Sequence, residues 1–165
     1  MAERRADLSV LLGLISDTHG RLPIAVLEHF AGVARILHAG DIGSADVLTS
    51  LEAVAPVTAV WGNTDGFALR SRLPEKSVIE EAGRRLVLVH GHQLGTPSPR
   101  ALRTAHPDAD IVIFGHTHRP ERTWLDGRLF LNPGAAGAPR FNLRPSIGLL
   151  RLDAGAEPVI DFIQL

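Results

Sequence analysis

Short apolar runs recur along this chain, and several of them end in a loop of Asp, Asn or His. Residues 10–15, 35–39, 57–61, 86–89 and 110–114 are such runs. They are followed by Asp17-Thr18-His19, Gly40-Asp41, Gly62-Asn63-Thr64-Asp65, His90-Gly91-His92 and Gly115-His116-Thr117-His118. A short run that is apolar without alternation reads as a strand buried on both faces, inside a sheet covered by helices. Parallel α/β sheets place their sites at the carboxyl ends of the strands. The pattern therefore restricts the chain to a layered α/β fold with its polar clusters gathered at one end.

The segments between the runs fit this reading. Residues 22–32 carry apolar side chains at 22, 26, 27 and 30, a helical spacing, with Pro23 in the first turn and Gly32 at the end. Residues 45–54 predict a second helix, closed by Pro56, and the first part of the chain then reads β-α-β-α-β. The second part changes character. Residues 77–82 and 84–90 flank Gly83 as a hairpin, 97–105 predict a helix ending before Pro107, and 110–114 a buried strand. Residues 119–124, 128–132, 146–152 and 159–163 predict short strands joined by turns such as Asp126-Gly127. No repeat, low-complexity segment or linker interrupts residues 1–165, which are read as one domain of two packed sheets with helices outside.

Composition narrows the chemistry. At 165 residues and 45% hydrophobic, the chain can bury a sizeable core. Its formal charge of −1 shows no bias toward nucleic acid or an anionic membrane. Lys76 is the only lysine, so the basic residues are almost all arginine, which we read as genome composition rather than a phosphate-binding surface. There is no cysteine, which excludes disulfides and thiolate metal sites. Any metal here has oxygen and nitrogen ligands, a set that suits Mn, Fe, Zn, Ni or Co. The run at 10–15 is too short to span a membrane, and the polar first residues carry no leader, so a soluble cytoplasmic protein is expected.

Each cluster holds at least one oxygen or imidazole donor, and together they can hold two adjacent ions, a device suited to phosphate-ester cleavage. Asp17 and His19 are two apart; in extended backbone both would point one way, toward one ion. Asp17 or Thr18 could equally cap the helix from Leu22. Gly40-Asp41 and the Gly62–Gly66 stretch are turn-like, and Asn63 offers a neutral amide oxygen. His90 alone is more often a satisfied residue than a ligand. His116 and His118 repeat the two-residue spacing after a buried strand, where packing alone explains them poorly. Asp65 is read as stabilising its turn, His38 as structural, and His29 and His106 as surface or packing residues. Asn132-Pro133-Gly134 could line the site floor. Arg140 offers a phosphate contact or is a plain surface residue. The stretch from Gly134 to Ala138 could form an anion nest of backbone N–H groups or a flexible loop.

The ordered set Asp-x-His, Gly-Asp, Gly-Asn-x-Asp, His-x-His and Gly-His-Thr-His resembles the calcineurin-like metallophosphoesterase superfamily. Gly62-Asn63-Thr64-Asp65, Asn132-Pro133-Gly134 and Pro139-Arg140 resemble its small YfcE-like phosphodiesterase branch. The resemblance spans about residues 10–152. It implies a four-layer αββα sandwich with two divalent ions, Mn²⁺ foremost, between the sheets. One ion would take Asp17, His19, Asp41 and His118, the other Asp41, Asn63, His90 and His116, with Asp41 bridging. A metal-bridging hydroxide would attack phosphorus in line. Asn63, Thr64, His92 and Arg140 would meet the substrate, with His92 as acid, supporting residue or further ligand.

Many superfamily members carry His where Thr64 stands. Lack of that acid implies a preference for good leaving groups. The implied substrate is a small phosphodiester; no specific nucleic-acid or membrane binding is expected, and self-association through sheet edges or loops is compatible with the sequence. The alternatives are a protein-binding scaffold of the same fold, as in the retromer subunit vacuolar protein sorting 29, and a phosphomonoesterase or nucleotide phosphatase.

Overall fold

A computed structural model describes residues 9–165. The reading of residues 1–9 as carrying no leader falls, except for Ser9, outside the described residues. The chain runs β1 (Ser9–Ile15), α1 (Ile24–His29), β2 (Arg35–His38), α2 (Ala45–Glu52), β3 (Val57–Ala59), α3 (Phe67–Arg70), β4 (Lys76–Glu81), β5 (Arg84–Val89), α4 (Pro99–Ala105), β6 (Ile111–Ile113), β7 (Pro120–Leu125), β8 (Arg128–Pro133), β9 (Ser146–Asp153) and β10 (Val159–Gln164).

Two five-stranded mixed sheets result, ordered β10-β9-β1-β2-β3 and β4-β5-β6-β8-β7. Strands β1, β2 and β3 are parallel, as are β5, β6 and β8, while the outer pairings are antiparallel. The period-two alternation of each strand sorts its side chains into layers. Leu12, Leu14 and Leu37 meet Leu86, Leu88, Ile111, Ile113, Leu129 and Leu131 between the sheets. Ile15 and Ile36 pack outward on Val26, Phe30, Val47, Leu48, Leu51 and Leu69 from α1, α2, α3 and their ends. Val87, Val89, Val112, Phe114 and Phe130 pack outward on Leu102 of α4. This is the expected αββα sandwich.

Local signals hold where a side chain enforces them. Ser44 caps α2 by accepting from the Asp46 N–H, and Ser98 caps α4 by accepting from the Ala101 N–H. That second cap, with Pro99 in the first turn, starts α4 two residues later than the expected 97. The hairpin turns at Ala82-Gly83 and Asp126-Gly127 have positive φ at both central residues, the I′ form that fits strand twist. The helix expected over 22–32 is only α1, which ends at the Phe30 C-cap. Its N-cap is Pro23 with no side-chain cap, so the alternative of Asp17 or Thr18 as its cap is overturned. The short helix α3 lies between the elements that the sequence predicts. Only Leu69 of its four residues is buried, too little pattern to signal a helix.

Candidate metal centre

Six parallel strands (β1, β2, β3, β5, β6 and β8) direct their following loops to one end of the sandwich, and backbone bonds tie those loops together. The Asp17 N–H donates to the Gly40 carbonyl at 3.0 Å, His19 N–H to Asp41 at 2.9 Å, and Gly115 N–H to His90 at 3.1 Å. Thr18 adds a side-chain latch, donating to the Ile42 carbonyl at 2.8 Å. His38 lies behind it, fully buried. Its Nδ1 accepts from the Gly40 N–H at 3.2 Å, which leaves Nε2 protonated toward the Thr18 hydroxyl at 3.0 Å. Burial lowers its pKa from 6.5 to about 4, so the ring stays neutral. The structural reading of His38 therefore holds.

Asp17, His19, Asp41, His116 and His118 all have left-handed backbone, with φ between 47° and 71°. This corrects the sequence argument. These pairs do not converge because extended residues two apart share a face; each side chain is aimed by a tight left-handed turn. Such backbone is uncommon for residues with a Cβ and clusters at functional sites. Close packing supports the turns: a Cβ on Gly40 would lie 2.8 Å from His90 Nδ1.

Each carboxylate is held by one oxygen and presents the other. Asp17 Oδ2 accepts from Ser16 Oγ at 2.6 Å and from the His116 N–H at 3.1 Å. Its Oδ1 faces His118 Nε2 at 3.1 Å, His19 Nε2 at 3.8 Å and His90 Nε2 at 4.0 Å. Asp41 Oδ1 accepts from the Thr64 N–H at 2.9 Å, and its Oδ2 faces His90 Nε2 at 3.3 Å and His19 Nε2 at 3.9 Å. The Ala39 carbonyl, 2.8 Å from His90 Nδ1, can only accept, so Nδ1 carries a proton. The His90 Nε2 lone pair then points at the carboxylates and at Asn63 Oδ1, 3.1 Å away.

Acceptors therefore converge on acceptors, and Asp17 Oδ1 and His19 Nε2 are buried without a hydrogen-bond partner. Only a cation resolves such a cluster. Burial disfavours charge on both Asp41 and His90, but their mutual attraction prevails, holding Asp41 well below the usual carboxylate range and raising His90. Two overlapping triads can each hold an ion: Asp17, His19 and His118, and Asp17, Asp41 and His90. Both fit a divalent metal by donor type, since they combine carboxylate oxygen and imidazole nitrogen.

His116 stands beside these triads, with its ring 5.2 Å from that of His90. His92 begins a single 3₁₀ turn after left-handed Gly91, so it too reaches the site by a turn rather than by strand alternation. Its ring lies 5.4 Å from His90, 6.4 Å from His116 and 5.3 Å from Trp61, and its buried Nδ1 lacks a partner. Burial and then the neighbouring imidazoles hold His92 and His116 below their usual pKa range. Thr64 Oγ1 is 3.5 Å from His19 Nδ1, at the rim. Arg140 is exposed, but close enough for its charge to add to burial in lowering the His19 pKa.

Three supporting residues were under-read in the sequence. Asp65 is buried and does more than stabilise its own turn: it accepts from Gly62, Gly43 and Ile42 N–H groups at 2.8, 2.8 and 3.2 Å, joining the Asp41 and Asn63 loops. Asn132 is fully buried and donates to the Gly115 carbonyl at 2.9 Å and Thr117 Oγ1 at 3.0 Å, fixing the loop of His116 and His118. Arg70 donates to the Asn63 carbonyl at 2.8 Å and lies over Trp61; no motif announced it. The anion nest from Gly134 to Ala138 is overturned. The N–H groups of Gly134, Ala136 and Gly137 donate to Asn132, Ser16 and Asp17, which occupies them within the protein. His29 is exposed, as expected, while His106 borders an apolar pocket beside α4, away from the triads.

Comparison with known proteins agrees with this geometry. The sequence profile of the calcineurin-like phosphoesterase superfamily domain matches residues 10–155. A probable metallophosphoesterase of Methanothermobacter thermautotrophicus is 39% identical over 152 residues, covering 87% of each chain. The phosphodiesterase YfcE of Escherichia coli is 32% identical over 162 residues, covering 84% of this chain and 85% of its own. The structure of vacuolar protein sorting 29 from Cryptosporidium parvum superimposes with a TM-score of 0.80 at 24% identity, covering 96% of this chain and 99% of its own, which shows the shared fold. This chain belongs to the calcineurin-like phosphoesterase superfamily, as a metal-dependent hydrolase of phosphoric esters.

Proposed function

We propose that the chain is a phosphodiesterase of the YfcE-like kind, acting on small diesters with two divalent ions of which Mn²⁺ is the first choice. The observation that carries the reading is the convergence of Asp17 Oδ1, Asp41 Oδ2, His90 Nε2 and Asn63 Oδ1, acceptors that need a cation among them. One ion is assigned to Asp17, His19, Asp41 and His118, and the other to Asp41, Asn63, His90 and His116. Asp17 is shared by both triads, with its Oδ1 nearest His118, while Asp41 Oδ2 lies 3.9 Å from His19 and 3.3 Å from His90, one from each set, and is nearer His90 than Asp17 Oδ1 is at 4.0 Å. That supports Asp41 as the bridge. The match over 10–155 supports reading 1–165 as one catalytic domain. No helix among the described residues is long and apolar enough to cross a membrane, and a cytoplasmic location is part of the proposal.

When bound, the two ions supply an activated water and stabilise charge on the phosphoryl oxygens. The chain's own residues do the rest. Thr64, Ser16 and the His116 N–H hold each carboxylate by one oxygen, so the free oxygen has a single orientation. Asn63, Thr64 and Arg140 border the position of the phosphoryl group and orient it. His92, with an unpaired buried nitrogen, is assigned to hydrogen-bond the substrate or its leaving group. A groove of about 470 Å³ runs from His116 past Thr117, Arg119 and Glu121, giving room for the second ester arm that distinguishes a diester. Thr64 supplies no acid, so turnover should fall steeply as leaving-group pKa rises.

The test is hydrolysis of bis(4-nitrophenyl) phosphate and 4-nitrophenyl phosphate after loading with Mn²⁺, Fe²⁺, Ni²⁺, Co²⁺ or Zn²⁺ in turn. The diester should turn over faster by kcat/KM. Preference for the monoester would overturn the diesterase assignment, and turnover of neither ester with any ion would favour the scaffold of the same fold.

A further inference from the structure

Residues Arg140 to Leu143 form a turn whose two central residues, Phe141 and Asn142, have φ of 53° and 59°, closed by the Leu143 N–H donating to the Arg140 carbonyl at 2.9 Å. Asn suits such a backbone; a bulky aromatic residue rarely adopts it. Phe141 is also 77% exposed, so it returns little burial to the fold. Two features that disfavour folding coincide at one side chain, and that side chain sits beside the metal centre, its ring 6.3 Å from the ring of His118. The root of the loop is pinned to the strand end that carries Asp17, through the Ala136 and Gly137 N–H groups on the Ser16 and Asp17 carbonyls at 2.9 and 3.3 Å. The turn is thus held at the rim of the site.

We infer that Phe141 is a specificity residue, an open stacking platform for a flat aromatic ring on one ester arm of the substrate, such as the base of a nucleotide diester. The inference rests on the phosphodiesterase reading and adds the class of arm. Trp61, near the other side of the centre, is less available, because Arg70 lies over its ring at 4.7 Å and His92 packs against it at 5.3 Å. Phe141 has a largely free surface, and stacking on an aromatic side chain is tolerant of which base is offered. Arg140, next in the chain, adds positive charge on the same rim.

The test compares Phe141→Asn, Phe141→Leu and Phe141→Trp with the unsubstituted enzyme on bis(4-nitrophenyl) phosphate and methyl 4-nitrophenyl phosphate, with Mn²⁺ at saturation. Phe141→Asn fits the turn better, so its melting temperature should be equal or higher. Its kcat/KM on the bis-aryl ester should fall about tenfold, mainly through KM, with Phe141→Leu falling alike and Phe141→Trp retaining activity. If the methyl ester falls equally, the stacked arm is the leaving group; if it falls less, it is the retained arm. Either result supports the platform. Phe141→Asn within twofold of the unsubstituted enzyme on both esters would overturn it, as would a loss that Phe141→Trp shares. A change confined to self-association, seen as a shifted elution volume with unchanged turnover, would assign Phe141 to a contact between copies instead. Failure of the unsubstituted enzyme on both esters would refute the phosphodiesterase reading itself, a result distinct from all of these.

Discussion

Replacing Asp65 by Asn should loosen the metal centre without touching a proposed ligand. Asp65 Oδ2 accepts two backbone N–H groups, Gly62 and Ile42, and Oδ1 accepts that of Gly43. An asparagine can offer an oxygen at only one of these positions, so its NH₂ must face at least one N–H donor. The charge that strengthens all three bonds also disappears. A hydrogen bond to a charged group contributes about 1.5–3 kcal/mol, and leaving a buried donor unpaired costs about 1–3 kcal/mol. Losing one bond and weakening two gives a cost of about 3 kcal/mol. Urea unfolding in EDTA, followed by the fluorescence of Trp61 and Trp124, measures this in the metal-free protein. Because the bonded N–H groups belong to the loops of Asp41 and Asn63, affinity for at least one ion should also fall about 10- to 100-fold, the range for residues that orient ligands. A loss below about 0.5 kcal/mol with unchanged metal affinity would refute the role given to Asp65.

Two further outcomes follow from the same packing. His38 is neutral in the folded protein because burial lowers its pKa from 6.5 to about 4. Between those values the unfolded chain binds the extra proton, so stability should be intact above pH 6.5 and decline as pH falls toward 4, by up to about 3 kcal/mol. Denaturation of a His38→Gln variant across that window should show a shallower acid dependence; an unchanged slope would remove His38 as the source. Gly40→Ala places a methyl group 2.8 Å from the His90 ring at φ of 96°, so it should cost about 2–4 kcal/mol and weaken metal binding, seen by calorimetry. A variant as stable as the parent would contradict the close approach.

The layers and the cluster positions were legible because they follow from simple periodicity. Apolar runs without alternation marked β1, β2, β3 and β6, and each polar cluster fell at the strand end where the sheet needs a loop. What periodicity cannot carry is the conformation of those loops. Spacing paired Asp17 with His19, which one triad brings together with His118, but the premise of extended backbone was false for all of them and for His116. Left-handed turns at single residues leave no pattern at their neighbours. The role of Asp65 was similarly hidden, since its partners Ile42 and Gly43 lie more than 20 residues away and are joined to it only by the pairing of β2 with β3. The anion nest failed for a matching reason. Small residues from Gly134 to Ala138 suggested free N–H groups, but tertiary packing uses them to pin the loop to β1.

The two-metal centre is tested most directly by metal content, measured by mass spectrometry after reconstitution and desalting on the unsubstituted protein and Asp41→Ala, with bis(4-nitrophenyl) phosphate turnover on the same samples. The unsubstituted protein should hold two equivalents and show diesterase activity. Asp41→Ala should hold one equivalent or fewer and lose at least about 10³-fold in rate. A single equivalent in the active unsubstituted protein, or an Asp41→Ala protein that keeps two ions and its activity, would contradict a two-metal centre bridged by Asp41.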